Sequence, residues 1–514
     1  MMNTGSRGLL LAVLIGVGLS AIGYWVDWDR LPIDGLNKSL NDEVAYVSVA
    51  RHWLGERRLD SSIIYPSLLE QTYKRNSLYM PGFYAELALS FATLGYSAVT
   101  ARLPALASYV LACALLWWIA RRFHDQEVAI YSVALFAFFP LNLVYAFTAM
   151  AEMPLVAATL VAFAGFLAAP EEFRWWAGPL VLALPILFRE TGVALGVVMC
   201  VMLLFSKTAE GKWKSILCGL LVCVVLVALL FSPAGAGRPS LWKANLLVGT
   251  FEARYSDAFA LDHVPDSARD WVAAIGHNVL SNLRSLVPWR GLAAERLEGV
   301  SILFLLSGIP LGMCLWILKR DAFALGVAGA VSLLLIADLC VYTVWHYHAI
   351  RSLLLMQPFV ALLWGIVIGW WARKRRWEAR ELLVVLFFLV GVSLGVSTWR
   401  ILRDAVVEAK QNTLFLTSVV GESREMLVSP YWLSLDYVNE HYPQRWAFVP
   451  ANCPTMRLLD AKERIGTLIM PVDAGLETGP SPCGTGLKFD GEKVWRGTRY
   501  LVFRRRKTES DAFK

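Results

Sequence analysis

Long apolar stretches separated by short basic clusters dominate this 514-residue sequence and set the strongest limit on its fold. Hydrophobic residues make up 57% of the chain and charged residues 17%, whereas soluble domains are near 45–50% apolar and about 25% charged. Stretches of about 17–25 apolar residues are long enough to cross a bilayer as helices. The sequence therefore predicts an α-helical polytopic membrane protein with about eleven transmembrane helices.

The basic clusters between the apolar stretches orient these helices. Arg121-Arg122, Lys319-Arg320 and the run at 373–376 have the composition of cytoplasmic loops under the positive-inside rule. The basic residues behind the net charge of +7 lie in these clusters, so they indicate the orientation of the helices in the membrane. Nucleic acid is therefore excluded as a partner. The first helix, from about Leu9 to Val26, ends at an interfacial aromatic pair and is predicted to stay uncleaved, with the N-terminus in the cytoplasm.

Two domains are predicted. Residues 1–400 form the transmembrane domain, with outer loops at 27–98 and 232–298; within the first loop, the stretch from Pro81 to Leu94 is too short to span and predicts an interfacial or re-entrant helix. Residues 401–514 lose the long apolar runs and predict a small extracytoplasmic α/β domain, with strands near 445–449, 466–470 and 500–503.

The candidate functional side chains gather at the predicted outer ends of helices and in outer loops. They are Asp42, Glu43, Glu152, Arg189, Glu190, His346, His348 and Arg351. A transporter would more naturally carry its ionisable groups near the middle of the membrane.

Several short motifs resemble those of the GT-C superfamily of glycosyltransferases. The resemblance is strongest to the branch that contains the protein O-mannosyltransferases and the aminoarabinose transferase acting on lipid A. It rests on Asp42-Glu43 ahead of an amphipathic helix, Leu78–Tyr84, Ala101–Leu106, Glu152-Met153-Pro154 and the late segment His346–Arg351. Tyr79-Met80-Pro81 stands where the family often has Glu-Lys-Pro, so a second loop carboxylate of some members has no obvious counterpart.

The resemblance implies an enzyme that takes a sugar from a polyprenyl-phosphate donor and transfers it to an acceptor hydroxyl. Asp42 is expected to act as the base, assisted by Glu43 and Glu152. The donor phosphate is expected to meet a positive cluster of Arg189, His346, His348 and Arg351. The acceptor is a glycan, a lipid or a protein, and the predicted location is the inner (plasma) membrane of the cell.

Each candidate also has a structural alternative. Asp42, Glu43 and Glu152 stand where carboxylates cap helices, Arg189 can pair with Glu190, and the histidines can serve as interfacial anchors. Asp338 is a candidate buried carboxylate with no assigned chemical step.

Metal binding and disulfide formation stay open on the sequence. Asp27-Trp28-Asp29 has the spacing of a metal-binding Asp-x-Asp, so a divalent cation is possible, but no metal ligand is assigned. An oxidising compartment favours a Cys453–Cys483 disulfide, although connectivity depends on geometry.

Three other functions are compatible with the membrane topology. A flippase or transporter of lipid-linked sugars would move its substrate without forming a glycosidic bond. A polysaccharide ligase or polymerase would use a diphosphate-linked donor. A non-catalytic scaffold would bind a glycan or a protein, and its loop carboxylates would be dispensable.

Overall fold

A computed structural model shows the fold of the chain. It describes residues 42–57, 63–64, 80–168, 183–189, 192, 221, 269, 293–342, 354–374, 411, 414–420, 425–429, 444–447, 453–472, 481–495 and 497–505. The chain divides into two compact units. Unit 1 contains residues 1–29, 79–232 and 275–401, and unit 2 contains residues 30–78, 233–274 and 402–514.

Helices form most of the described part of the chain. They are α1 (Asp42–Glu56), α2 (Pro81–Leu94), α3 (Ala98–Phe123), α4 (Gln126–Ala137), α5 (Pro140–Ala146), α6 (Glu152–Ala168), α7 (Ala293–Lys319), α8 (Ala322–Tyr342), α9 (Gln357–Lys374) and α10 (Cys453–Glu463). A further helical segment covers residues 183–188. The helix predicted from Pro81 to Leu94 is confirmed with the same bounds as α2.

Helix α3 illustrates how the sequence sets the ends of an element. Ser97 caps its N-terminus in a capping box with Thr100, and Arg121 and Arg122 occupy its last turn, where cations favour the helix dipole. Two apolar helices in the described ranges are long enough to cross a bilayer, Ala98–Phe123 and Leu354–Arg373. The prediction of about eleven spans therefore remains a prediction.

Several basic residues of unit 1 lie together at one end of its helices, where α3, α7 and α9 end. Arg373 at the end of α9 forms an ion pair with Asp125, which caps α4. Phe123 stacks on Phe323 with ring centroids 4.3 Å apart, and the Lys319 ammonium lies 4.1 Å from the centre of a Trp370 ring. These contacts define the basic end of unit 1.

Helix α4 rises away from the basic end in close contact with α9. A Cβ at Gly365 would collide with the Ser132 hydroxyl, so the missing side chain permits this approach. Where Pro140 interrupts the helix, the Asn142 amide nitrogen donates to the Phe136 carbonyl and to the Gln357 side-chain oxygen, each at 2.8 Å. The chain then leads into α6, whose first residue lies at the end remote from the basic residues.

The described residues of unit 2 form a six-stranded mixed sheet. Its strands are β1 (Ile63–Ile64), β2 (Met426–Val428), β3 (Trp446–Ala447), β4 (Ile465–Pro471), β5 (Lys488–Trp495) and β6 (Thr498–Arg504), in the order β1-β3-β2-β4-β6-β5. The first four in that order are parallel, and β6 and β5 are antiparallel to their neighbours. Helix α10 connects β3 to β4 and packs its apolar residues into the same core. The predicted strands near 445–449, 466–470 and 500–503 all correspond to strands of this sheet.

Two features extend the prediction for the C-terminal domain. Strand β1 comes from the predicted first outer loop and pairs with β3, so the sheet includes residues from outside 401–514. Cys453 and Cys483 form a disulfide between the start of α10 and the turn before β5. The pairing that the sequence left open is therefore present.

Candidate active site

A buried ion pair lies at the remote end of unit 1 and joins two of the predicted site residues. The Arg189 Nη1 atom lies 2.5 Å from Glu152 Oε1. The Glu152 side chain is 2% exposed and the Arg189 side chain 18% exposed. A carboxylate so removed from water requires a charged partner, and Arg189 supplies it across 37 residues of sequence. The sequence had suggested the neighbouring Glu190 as a partner of Arg189, whereas the contact observed is with Glu152.

A tight turn fixes the position of Arg189. The Arg189 amide donates to the Pro185 carbonyl at 3.2 Å, and the Gly192 amide donates to the Arg189 carbonyl at 2.9 Å. A Cβ at Gly192 would lie 2.5 Å from the Pro185 carbonyl carbon, so this position requires glycine. The guanidinium is thus held at the end of the 183–188 helix and directed toward the first turn of α6.

Glu152 is held by an equally buried segment. It is the first residue of α6, and the chain that leads to it, from Phe147 to Ala151, is buried throughout. Anionic side chains are favoured at this position by the helix dipole. The capping alternative and the ion pair are therefore compatible, since the carboxylate serves the helix start and also binds Arg189.

Helix α2 packs directly beside the residue that forms this pair. A Cβ at Gly82 would lie 2.8 Å from the Leu187 carbonyl oxygen and 3.1 Å from Phe188 Cδ1. Glycine at this position lets the start of α2 rest on the backbone that leads into Arg189. The α2 helix thereby forms one wall around the Arg189 segment.

Glu86 on α2 was missed on the sequence. It is half-buried, and burial raises the pKa of its carboxyl to about 7. Its Oε2 atom is shielded from solvent and has no hydrogen-bond partner within the described part of the chain. The available signal was the presence of a single carboxylate on an otherwise apolar interfacial segment.

Arg102 is a second cation near the remote end of unit 1. It lies one turn into α3, 1% exposed, and is among the largest fully buried side chains. At a rise of 1.5 Å per residue it stands about 32 Å along α3 from Phe123 at the basic end. The sequence identified it only as part of the Ala-Arg-Leu-Pro motif.

The predicted base and its neighbour lie in unit 2. Asp42 is the first residue of α1, and its side chain lies outside the described part of the structure. Glu43 is completely buried, as are most residues from Ala45 to Ala50. The sequence predicted a helix that begins just after this pair. In the structure α1 begins at Asp42 and so includes both acidic residues.

The remaining predicted residues lie outside the described ranges. They are Asp27, Asp29, Glu190, His346, His348 and Arg351, together with the side chain of Asp338. Within the ranges that are described, no group of three or more His, Cys, Asp or Glu side chains is arranged to hold a metal.

A family model matches residues 80–236 of the chain, and its description is dolichyl-phosphate-mannose-protein mannosyltransferase. The matched region contains α2 to α6 and the Glu152–Arg189 pair. A search of the curated proteins finds no significant match.

Several solved structures share the fold of this chain. ArnT from Cupriavidus metallidurans, bound to undecaprenyl phosphate, is similar with a TM-score of 0.59 and 13% identity over 96% of this chain and 97% of that chain. The oligosaccharyltransferase of Archaeoglobus fulgidus is similar with a TM-score of 0.54 and 13% identity over 91% and 70%. The oligosaccharyltransferase AglB from Archaeoglobus fulgidus, in complex with an inhibitory peptide and a dolichol-phosphate, is similar with a TM-score of 0.52 and 12% identity over 91% of this chain and 70% of that chain.

These matches bear out the resemblance to the GT-C fold that the sequence motifs predicted, and the structure is mostly helical in its described part.

Proposed function

We propose that the chain transfers a sugar from a polyprenyl-phosphate donor to an acceptor hydroxyl at the extracytoplasmic face of the inner membrane. Asp42 acts as the general base, and Glu43 and Glu152 orient the reacting groups. Arg189 binds the donor phosphate together with His346, His348 and Arg351. A glycan, a lipid or a protein serves as acceptor.

The reaction is a single displacement at the anomeric carbon. The acceptor oxygen forms the new glycosidic bond while the bond between the anomeric carbon and the phosphate oxygen breaks. Asp42 takes the proton of the acceptor hydroxyl, and the bonding electrons leave with the lipid phosphate. Attack opposite the leaving group inverts the anomeric configuration.

The Glu152–Arg189 pair is the observation that carries this proposal. The phosphate of the donor gains negative charge as the bond breaks, and a planar guanidinium suits its oxygens. Glu152 fixes the orientation of Arg189 through the contact of Oε1 with Nη1. The guanidinium therefore brings a fixed positive charge to the proposed position of the donor phosphate.

The sidedness of the reaction has independent support from unit 2. Strand pairing of Ile63–Ile64 with Trp446–Ala447 requires the predicted first outer loop and the C-terminal domain to lie on the same side of the membrane. The Cys453–Cys483 disulfide favours an oxidising compartment on that side. The basic residues at one end of unit 1 have the composition of a cytoplasmic face under the positive-inside rule, which by itself favours a cytoplasmic N-terminus.

The proposal is tested by following a radiolabelled sugar from polyprenyl phosphate into a cell-envelope acceptor fraction. Membranes with the wild-type chain should transfer label, and Arg189→Gln should reduce the rate by about 10²-fold or more, because a charged donor to the developing phosphate charge is lost. Undiminished transfer by Arg189→Gln would exclude the phosphate-binding role.

The exposed ion pair between Glu492 and Arg499 provides a matched control. These side chains lie 2.6 Å apart on β5 and β6, and both are largely exposed. Arg499→Gln removes the same charge from the same chain, and should leave transfer unchanged. A flippase would instead move labelled lipid across the membrane in vesicles without forming any new labelled product.

A further inference from the structure

Helix α2 contains one charged side chain, Glu86, in a sequence of otherwise apolar, small or hydroxyl-bearing residues. Its Oε2 atom is buried and makes no hydrogen bond in the described part of the chain. Withdrawal from water raises its pKa to about 7, and burial is the only cause of that shift. A carboxyl group in this state reduces stability, so the position calls for a functional explanation.

The position of Glu86 follows from that of Gly82. Residues four apart lie on the same face of a helix, and Gly82 rests on the backbone of Leu187 and Phe188. The next residue, Arg189, forms the ion pair with Glu152. Glu86 therefore stands one helical turn, about 6 Å, along α2 from this contact.

Within the described residues, the elements that pack against α2 carry only cations as charged groups. Helix α3 packs on α2 and carries Arg102 one turn after its start, with Arg121 and Arg122 in its last turn, and the segment at 183–189 carries Arg189. None of these arginines contributes to the pKa shift of Glu86. The carboxyl is thus a polar group one helical turn along α2 from the contact with the segment that ends at Arg189.

The chemistry of this carboxyl selects its ligand. Near neutral pH it is present in both protonation states, so it can accept a hydrogen bond or donate one. A phosphate would be repelled by the ionised form, and a metal ion requires more than one such ligand. A sugar hydroxyl, which both donates and accepts, matches either state.

We propose that Glu86 hydrogen-bonds a hydroxyl group of the donor sugar and thereby distinguishes the sugar-bearing lipid from the free lipid phosphate. This inference rests on the proposed function and deepens it, because it assigns the sugar to the α2 side of the site and the phosphate to the Arg189 side. Glu86 is then a specificity-determining residue.

The experiment compares the affinities of the purified full-length chain for polyprenyl-phosphate mannose and for polyprenyl phosphate without sugar, measured in detergent by competition. Wild type should bind the sugar-bearing lipid more tightly. Glu86→Leu should weaken that binding about tenfold, because one hydrogen bond to a buried carboxyl is lost, and should leave the free lipid phosphate unchanged. Glu86→Gln keeps an acceptor and a donor, and should restore most of the preference.

Thr93→Val on the same helix provides the control. The Thr93 hydroxyl bonds to the backbone carbonyl of Leu89 at 2.8 Å, and the residue is exposed two turns further along. Both affinities should match wild type. Equal affinities of Glu86→Leu and wild type for the sugar-bearing lipid would overturn the proposal, as would an equal loss for both lipids.

This binding assay separates the two proposals. A chain that shows the Glu86-dependent preference but transfers no label would contradict the proposed reaction and retain the sugar contact. A chain that transfers label but lacks the preference in wild type and variants would retain the reaction and overturn the role of Glu86.

Discussion

Removing either partner of the Glu152–Arg189 pair should lower the free energy of unfolding, and removing Arg189 should lower it more. Arg189→Ala removes the guanidinium from a carboxylate that is 2% exposed. Loss of one partner from a buried pair costs about 3–5 kcal/mol. Because the Arg189 side chain is itself 18% exposed and partly solvated, we expect the lower end of that range, about 3 kcal/mol. Glu152→Ala should cost less, about 1–2 kcal/mol, since the long Arg189 side chain can reach water.

The double variant distinguishes a true pair from two independent effects. If the two side chains stabilise each other, the double variant should be more stable than the sum of the single effects predicts, by about 1–2 kcal/mol. The measurement is unfolding in detergent with increasing denaturing surfactant, followed by tryptophan fluorescence. The same cycle on the exposed Glu492–Arg499 pair should show no measurable coupling. Additive losses at Glu152 and Arg189 would refute the reasoning.

Three further predictions concern stability. Gly82→Ala should destabilise the chain by about 1–3 kcal/mol, because its Cβ would lie 2.8 Å from the Leu187 carbonyl oxygen and backbone must move; the same unfolding assay measures it. Replacing both Cys453 and Cys483 with serine should cost roughly 3–4 kcal/mol through the 30-residue loop they close, and reductant should have no further effect on that variant. The pKa of Glu86 is raised from 4.5 to about 7, so the free energy of unfolding should fall as the pH rises from 4.5 to about 7, because the unfolded chain loses this proton more readily. Glu86→Gln should lack that part of the pH dependence in the same unfolding assay.

The parts of the fold that were predictable carry strong apolar patterns. The α2 helix begins at a proline and is apolar apart from Glu86, Ser90 and Thr93, and its predicted bounds agree with the structure. Strands β4 and β6 contain runs of buried aliphatic and aromatic residues and were identified close to their observed bounds. Local composition was sufficient in these segments because burial and secondary structure depend on the same residues.

Other elements depend on partners that are distant in sequence. Strand β5 exposes most of its side chains and lacks the apolar alternation of a half-buried strand; it exists because it pairs with β6. Strands β1 and β2 have two and three residues, too few for a periodic pattern. Helix α10 was missed because its sequence is polar on average, although its apolar side packs into the sheet core.

In the candidate site, too, the residue types could be predicted from the sequence, but the contacts between distant residues could not. Glu152 and Arg189 were each selected on the sequence as chemically suitable residues, but their contact spans 37 residues and depends on the tight turn at Pro185–Gly192. Glu86 was not selected on the sequence because it lies two residues beyond the Leu78–Tyr84 motif. A lone carboxylate in an apolar helix is a signal that the sequence did contain.

The measurement that tests the central claim most directly follows label from polyprenyl-phosphate mannose in membranes containing either the wild-type chain or Asp42→Asn. The account predicts that wild type moves label from the lipid pool into a new product. Asp42→Asn should bind the donor with unchanged affinity and transfer no label, since the amide cannot take the acceptor proton. Full transfer by Asp42→Asn, with normal product, would contradict the assignment of the base and the mechanism built on it.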